Sequence, residues 1–308
     1  MEAQILQWLR EYLPTTPATL LGPGDDAALL DWSDTDRCLV ATDTIVEGLD
    51  FTRETCKLPS VGRKALAINL SDLAAMGGFA VSATASLVLP STDAFATCRE
   101  IIRGMQELAE AYDVSISGGD ISIWDGPLIA TVTAIGKPGP GGILTRSGAQ
   151  EGDHILVTGN LGGSILSHHY TFTPRLKEIQ HLTGNYSVHA AIDISDGLGL
   201  DLSRLAGASE LAATITTSAV PIAPAAHTLA ERPDSTSTAL QHALQDGEDF
   251  ELLLSVSPAV SDAIIRDQPL GCGISCIGSF SVGSGLTLRH DDGTLQAVEP
   301  RGYLHGEG

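Results

Sequence analysis

Six short acidic motifs, most of them beside glycine, are spread along nearly the whole chain. They are Gly24-Asp25-Asp26, Thr42-Asp43, Asn69-Leu70-Ser71-Asp72, Gly118-Gly119-Asp120, Asp193-Ile194-Ser195-Asp196-Gly197 and Gly247-Glu248-Asp249. If the fold gathers these carboxylates they repel, at roughly 4 kcal/mol for two unit charges ~4 Å apart in an effective dielectric of about 20. Hard divalent cations neutralise such clusters, and Mg2+ held by carboxylates commonly takes nucleotide phosphates as its remaining ligands. The chemistry expected of this set is phosphoryl transfer. It would not use a P-loop, because no lysine follows a glycine-rich stretch in the GxxxxGK[ST] pattern. Nor is there a protein-kinase glycine loop with a strand lysine. Metals would therefore do most of the charge neutralisation.

Taken singly, Gly24-Asp25-Asp26 and Gly118-Gly119-Asp120 fit ordinary turns, since glycine and aspartate are common turn residues. The 193–197 motif says more. Strand alternation sets Asp193 and Ser195 on one face, and Asp196 then lies near a helix N-terminus, where a bound anion is stabilised. The run Asp31, Asp34, Asp36 lacks the glycine and terminal glutamate of a calcium loop and reads as a solvated turn. His168-His169 has no acidic residue at zinc-partner spacing and reads as surface or packing.

The elements that must carry these residues follow from periodicity. Residues 1–13 read as a helix, and 39–44 as a strand that delivers Thr42 and Asp43 at its end. A helix is expected from an N-cap at Ser60 to Met76, stopped by Gly77-Gly78. In it Asn69 and Asp72 share a face. Asp72 falls in the last turns, where the helix dipole disfavours a negative charge, so a metal ligand explains it better than a structural role. A strand over 81–89, a helix over 92–112 and strands over 115–117 and 128–136 follow. The stretch 136–142 (GKPGPGG) is the best linker, so the domains are expected to be 1–138 and 139–308. The second half should hold a strand at 154–158, a less regular stretch to His189, and a strand at 190–194 leading into a helix that starts at Ser195-Asp196. After these come a strand at 250–256, a helix at 258–267 and a hairpin turning at Asp292-Gly293. Both halves mix strands and helices, an α+β pattern.

Composition bounds the partners. The 308 residues carry a formal net charge of −21, and the only lysines are Lys57, Lys64, Lys137 and Lys177. So acidic a body repels nucleic acid and anionic membrane surfaces. Five cysteines form neither a secreted framework nor a zinc pattern, which suggests buried free thiols in a reducing, cytoplasmic setting. The N-terminus has no basic-then-apolar signal pattern, and the longest apolar run, 74–89, is too short and too polar to span a bilayer.

Together and in this order, the motifs are specific. Gly24-Asp25-Asp26-Ala27-Ala28, Thr42 to Gly48, Lys64 to Gly77 (KALAINLSDLAAMG), Gly118-Gly119-Asp120, Leu144 to Ala149, Ala191 to Leu198, Gly247 to Leu252 and Gly302-Tyr303 carry a resemblance over about residues 22–303. The chain resembles the thiamine-monophosphate kinase family, within the superfamily that includes aminoimidazole ribonucleotide synthetase. The resemblance implies two mixed α/β domains, with the N-terminal sheets of a homodimer joined into a barrel and ATP in a cleft between domains. It implies ATP-dependent phosphorylation of thiamine monophosphate to the diphosphate with several Mg2+ ions. Carried over by position, Asp26, Thr42, Asp43, Asp72, Asp120, Asp193 and Asp196 look like the Mg2+ ligands, with Asp43, Asp72, Asp120, Asp193 and Arg146 catalytic. Gly118, Gly119, Arg146 and Ser195 look like contacts to ATP, and Glu248 and Tyr303 like contacts to thiamine monophosphate. The acceptor is itself an ionised phosphate, so no general base is required and transfer is expected to be direct.

The chain departs from the family pattern in places. Asp50 stands where the family usually has a histidine that touches substrate, Ile121-Ser122 replaces a threonine pair, and Asp246-Gly247 replaces a double glycine. The 159–189 loop is shortened. Selenophosphate synthetase would need a reactive residue near a glycine-rich N-terminus, yet no cysteine precedes Cys38. The hydrogenase maturation relative ends in cysteine, whereas this chain ends Gly306-Glu307-Gly308. An inactive, metal-binding homologue is the remaining alternative.

Overall fold

A computed structural model of the chain describes Gln7 and residues 18–21, 25–33 and 37–304. Apart from Gln7, the helix expected over 1–13 lies outside these residues, as do Gly24, Asp34 and Asp36. In the first half, strands β1 (Thr19–Leu21), β2 (Ala28–Asp31), β3 (Arg37–Val46), β4 (Gly78–Pro90), β5 (Ser115–Trp124) and β6 (Ile129–Pro138) form one sheet in the order β1-β2-β3-β6-β4-β5. β4 and β5 run parallel and the other neighbours antiparallel, so the sheet is mixed, and it is open at β1 and β5. Alternation decides its two faces. Leu39, Ala41 and Ile45 of β3 and Ala130, Val132 and Ala134 of β6 are buried. Thr42 and Thr44 face the other way and meet Thr133 and Thr131, with Oγ1–Oγ1 distances of 3.0 and 2.8 Å.

The buried face is covered by α1 (Leu58–Ala75) and α2 (Ala94–Tyr112). Most of α1 is buried, the signature of a helix with core on nearly every side. It starts two residues before the expected Ser60, with Lys57 as the extended N-cap and Pro59 in the first turn, where proline's missing N–H costs nothing. Gly77, at φ +70°, ends it. The two helices touch backbone to backbone: a Cβ on Gly62 would collide with the carbonyl of Ile101, and one on Gly104 with the carbonyl of Pro59. Gly104→Ala should therefore force the helices apart and destabilise the fold by about 1–3 kcal/mol. Thermal melting checks this; an unchanged Tm would show that the contact can relax.

In the second half, β7 (His154–Thr158), β8 (Ala190–Asp193), β9 (Leu211–Thr216), β10 (Leu252–Val256), β11 (Ile274–Val282), β12 (Leu286–Arg289) and β13 (Leu295–Val298) form a sheet in the order β13-β12-β9-β11-β7-β10-β8. Only β12 and β9 run parallel. Helices α3 (His168–Thr171), α4 (Leu176–Asn185), α5 (Leu198–Ala208), α6 (Pro224–Ala230), α7 (Ala239–Gln245) and α8 (Pro258–Asp267) accompany it. The architecture is mixed α/β, as expected, and the strand at 154–158 and the helix at 258–267 lie where periodicity set them. Other expectations shift, among them β5, which runs on to Trp124 rather than ending at Ser117. β6 continues through Pro138, so the glycine-rich turn is shorter, at 139–142. The stretch before His189 holds α3 and α4. The helix after Asp196 begins only at Leu198, because Gly197 at φ +111° turns the chain first.

One hydrophobic core joins the halves: Leu66, Leu70 and Leu73 of α1 cluster with Phe172, Ile179 and Leu254. α1 is thus the spine between the sheets. Among the described residues no helix is long and apolar enough to cross a membrane. All five cysteines are free, but only Cys38 is buried, so the expectation of five buried thiols is corrected for the other four, which are partly exposed.

Candidate active site

Three residues of α1 spaced four apart, Lys64, Ile68 and Asp72, present one stripe to a cleft of about 690 Å3. Asp43 arrives from β3, on the face opposite Thr42 and Thr44. Asp193, at the end of edge strand β8, faces Asp72, and Ser195 and Asp196 continue from it along the wall. Asp26, just before β2, completes the cluster: single carboxylate oxygens of Asp26, Asp72 and Asp193 lie within 4.8 Å of one another.

Burial, and after it the neighbouring carboxylates, drives the electrostatics. Asp72 is raised well above the ordinary 3.8 by burial and then by Asp43 and Asp193. Asp193 is raised well above it by burial and then by Asp26. Burial also raises Asp43, an effect opposed by its contact with Asp72, and it raises Asp26 as well. Ser71 Oγ donates to Asp193 Oδ2 at 2.6 Å. The Arg146 guanidinium pairs with Asp26 at 2.5 Å, and its backbone N–H donates to Asp25 at 2.8 Å. Burial alone would lower Arg146, but Asp26 outweighs it and holds the guanidinium protonated. Anions held this close without enough counter-charge fit a divalent cation: opposite ligands on an octahedral Mg2+ are ~4.2 Å apart, close to the spread seen.

Asp196 is steadied from the side by Arg204, which also grips Asp201 at 2.7 Å. Asp201 in turn accepts the Asp196 backbone N–H, and burial pushes its pKa up to about 7. Gly302 packs so tightly on the Asp196 carbonyl that a Cβ would clash, and the Tyr303 N–H donates to that same carbonyl at 2.9 Å. That contact seats Tyr303 on the cleft wall.

The 247–250 turn lies against the end of β8 and lines the same cleft. Glu248 at φ +56° and Phe250 at φ +50° are left-handed, a strained setting for non-glycine residues that is common at functional sites. Their backbone N–H groups donate to Ser195 and Ile194, which locks the turn to the end of β8. Glu248 reaches into the cleft and pairs with the buried Lys64, and His169 Nδ1 lies 3.0 Å from both Glu248 Oε2 and Lys64 Nζ. Burial would raise Glu248, but His169 and Lys64 prevail and hold it below its ordinary value. Asp249 turns inward, accepts Gly162 N–H and Ser164 Oγ–H, and is pushed up to about 7 by burial.

Asp26, Asp43, Asp72, Asp193, Ser195, Asp196, Arg146, Glu248, Tyr303 and Asp50 are therefore brought to one place. Asp50 lines the cleft, but its Oδ2 accepts the Val46 N–H at 2.7 Å, which closes its own turn. Two of the expected metal ligands are not brought in. The Thr42 hydroxyl is bonded to Val132 O and Thr133 on the other face of the sheet. Gly118, Gly119 and Asp120 are exposed on edge strand β5, three strands from β3, or ~14 Å away. Sequence reasoning missed Lys64, His169, Asp201 and Arg204. The fourfold spacing Lys64-Ile68-Asp72 was a signal for the first, whereas the reading of His169 as surface or packing overlooked a buried histidine at the site.

Residues 24–137 match the family described as AIR synthase related protein, N-terminal domain. A thiamine-monophosphate kinase of Rhodopirellula baltica is 41% identical over 317 residues, covering 100% of this chain and 98% of that one. The solved structure of AaThiL complexed with AMPPCP and TMP superposes with a TM-score of 0.81 at 26% identity, covering 99% of this chain and 95% of that one. The thiamine-monophosphate kinase of Stenotrophomonas maltophilia K279a gives a TM-score of 0.73 at 32% identity, covering 94% and 95%.

Proposed function

The chain belongs to the thiamine-monophosphate kinase family, and from that membership we infer that its cleft carries out ATP-dependent phosphorylation of thiamine monophosphate to thiamine diphosphate. The observation that carries this reading is the convergence of Asp26, Asp72 and Asp193 within 4.8 Å, with Asp72 and Asp193 in a cleft that Glu248 and Tyr303 also line. A relative solved with AMPPCP, an ATP analogue, and TMP supports it.

Asp26, Asp43, Asp72, Asp193 and Asp196 would hold Mg2+ ions. When bound, these supply charge neutralisation for two polyanionic reactants and for the leaving diphosphate. The chain's own residues do the rest. Ser71 and Arg204 fix the orientation of Asp193 and Asp196. Arg146 offers a planar cation to phosphate next to Asp26. Tyr303 offers an aromatic face to a cationic ring. The acceptor oxygen is already ionised, so it attacks directly and no phosphorylated protein forms. Incubation with ATP, Mg2+ and thiamine monophosphate should yield thiamine diphosphate, whereas unphosphorylated thiamine should not react. Absence of the diphosphate would refute the reading.

We assign residues 1–138 to metal, ATP and dimer contacts and 139–308 to completing the site, with the reaction in the cytoplasm, a setting its free cysteines suit. The homodimer would form along β5. Ile121 and Ile123 there are 51% and 61% exposed on an uncapped edge strand, an arrangement that invites pairing with a second copy. Two sheets joined along this edge would make the barrel, and Gly118, Gly119 and Asp120 would then serve the site from a strand shared between copies. Ile123→Asp is expected to give a monomer with at least tenfold lower activity. Light scattering and turnover check this; a fully active monomer would remove the need for Asp120.

A further inference from the structure

We propose that Lys64 and His169 are positioning residues that clamp Glu248 as the group reading the ring end of the acceptor substrate. This rests on the kinase reading above. Lys64 is only 1% exposed, although it carries a charge, and its Nζ goes to Glu248 Oε1 and lies 3.0 Å from His169 Nδ1. His169 is equally buried and approaches the second carboxylate oxygen, Oε2, at 3.0 Å. Each oxygen of Glu248 thus has its own buried partner, while the Glu248 side chain is the exposed member of the three, at 33%. A lysine buried this fully is costly unless paired, so its placement calls for a role beyond filling the core. Tyr170 backs the clamp, its ring centroid 5.6 Å from Nζ.

The imidazole suits this position because its Nδ1 can take either of two bonds. With the proton on Nδ1 it donates to Oε2; in the other tautomer Nδ1 accepts from the Lys64 ammonium. A substrate N–H that takes over Oε2 would therefore leave Nδ1 bonded to Lys64, with the imidazole proton carried on Nε2. The aminopyrimidine of thiamine monophosphate carries such an N–H donor.

The helix also sets a ruler. Lys64 and Asp72 are eight residues apart on α1, ~12 Å along its axis. The clamp and the carboxylate cluster are thus held about two turns apart on one rigid element, suited to a molecule with a ring at one end and a phosphate at the other. This makes the clamp a determinant of acceptor affinity rather than of ATP affinity.

A double-mutant cycle tests it. Lys64→Met and Glu248→Gln are each expected to raise KM for thiamine monophosphate at least tenfold, with KM for ATP and kcat changed less than about twofold. Combined, they should do no more than Glu248→Gln alone, because the lysine acts through the glutamate. His169→Asn, which keeps a donor and acceptor near the Nδ1 position, should retain KM within about threefold, whereas His169→Leu should not. If Lys64→Met fails to fold, His169→Leu with Glu248→Gln provides the same cycle. Additive effects, or equal losses for both substrates, would overturn the clamp. A wild-type protein that makes no thiamine diphosphate would instead refute the kinase reading itself.

Discussion

Asp193→Asn is expected to lower kcat by about a thousandfold, the scale seen when one preorganised electrostatic group is removed from a phosphoryl or acyl transfer site. The asparagine keeps the shape and can still accept the Ser71 hydroxyl bond at Oδ1. What it loses is the negative charge at the centre of the cluster. That charge is a burden on the metal-free fold, since Asp193 is buried and pressed by Asp26. The same substitution should therefore raise the Tm of the metal-free protein while it lowers turnover. Opposite signs in the two readouts are expected of a functional carboxylate held against its own stability preference. A fall in both would mean that Asp193 is there for structure.

The second large effect concerns pH and metal together. Asp72 and Asp193 have pKa values raised well above 3.8 by burial and by their carboxylate neighbours, and burial brings Asp201 and Asp249 up to about 7. Below 3.8 these groups are protonated in both folded and unfolded chains, so they favour neither state. Above it the unfolded chain releases protons that the folded chain retains, and stability falls by up to ~1.4 kcal/mol per pH unit for each proton retained. The fall continues until the folded groups titrate. In EDTA, Tm should therefore drop steadily from pH 5 to pH 8. Mg2+ at a hundred times its Kd should restore about 2.7 kcal/mol. At one fixed Mg2+ concentration the restoration should be larger at pH 8 than at pH 5, because protons compete for the same oxygens and weaken binding at the lower pH. A metal-free Tm that is flat or rises over this range would contradict the buried, mutually repelling cluster.

Much of this site is legible in the sequence because the chemistry depends on residue type at fixed spacing. Asp72 in the last turns of a helix, against the dipole, could be picked out before any fold was known. The strand that delivers Asp43 was also readable, over 39–44. Other features depend on what lies across the fold. Lys64 looks like any helix lysine until His169 and Glu248, more than a hundred residues away, close over it. Thr42 adjoins Asp43, and a motif does not reveal that one side chain enters the cleft while the other joins Thr133 on the far face. β5 carries apolar residues exposed on an edge, and no periodicity within one chain explains that pattern. Strand ends moved where backbone geometry prevailed over composition. Gly197 delays α5 past the expected Ser195-Asp196 start, and Pro59 lets α1 begin ahead of Ser60.

A single turnover with γ-labelled ATP, excess enzyme and thiamine monophosphate, run with and without Mg2+, tests metal-assisted direct transfer in this cleft most directly. The label should pass into thiamine diphosphate only when Mg2+ is present, with none on the protein. Label found on the protein or released as free phosphate, with no thiamine diphosphate formed, would contradict the account.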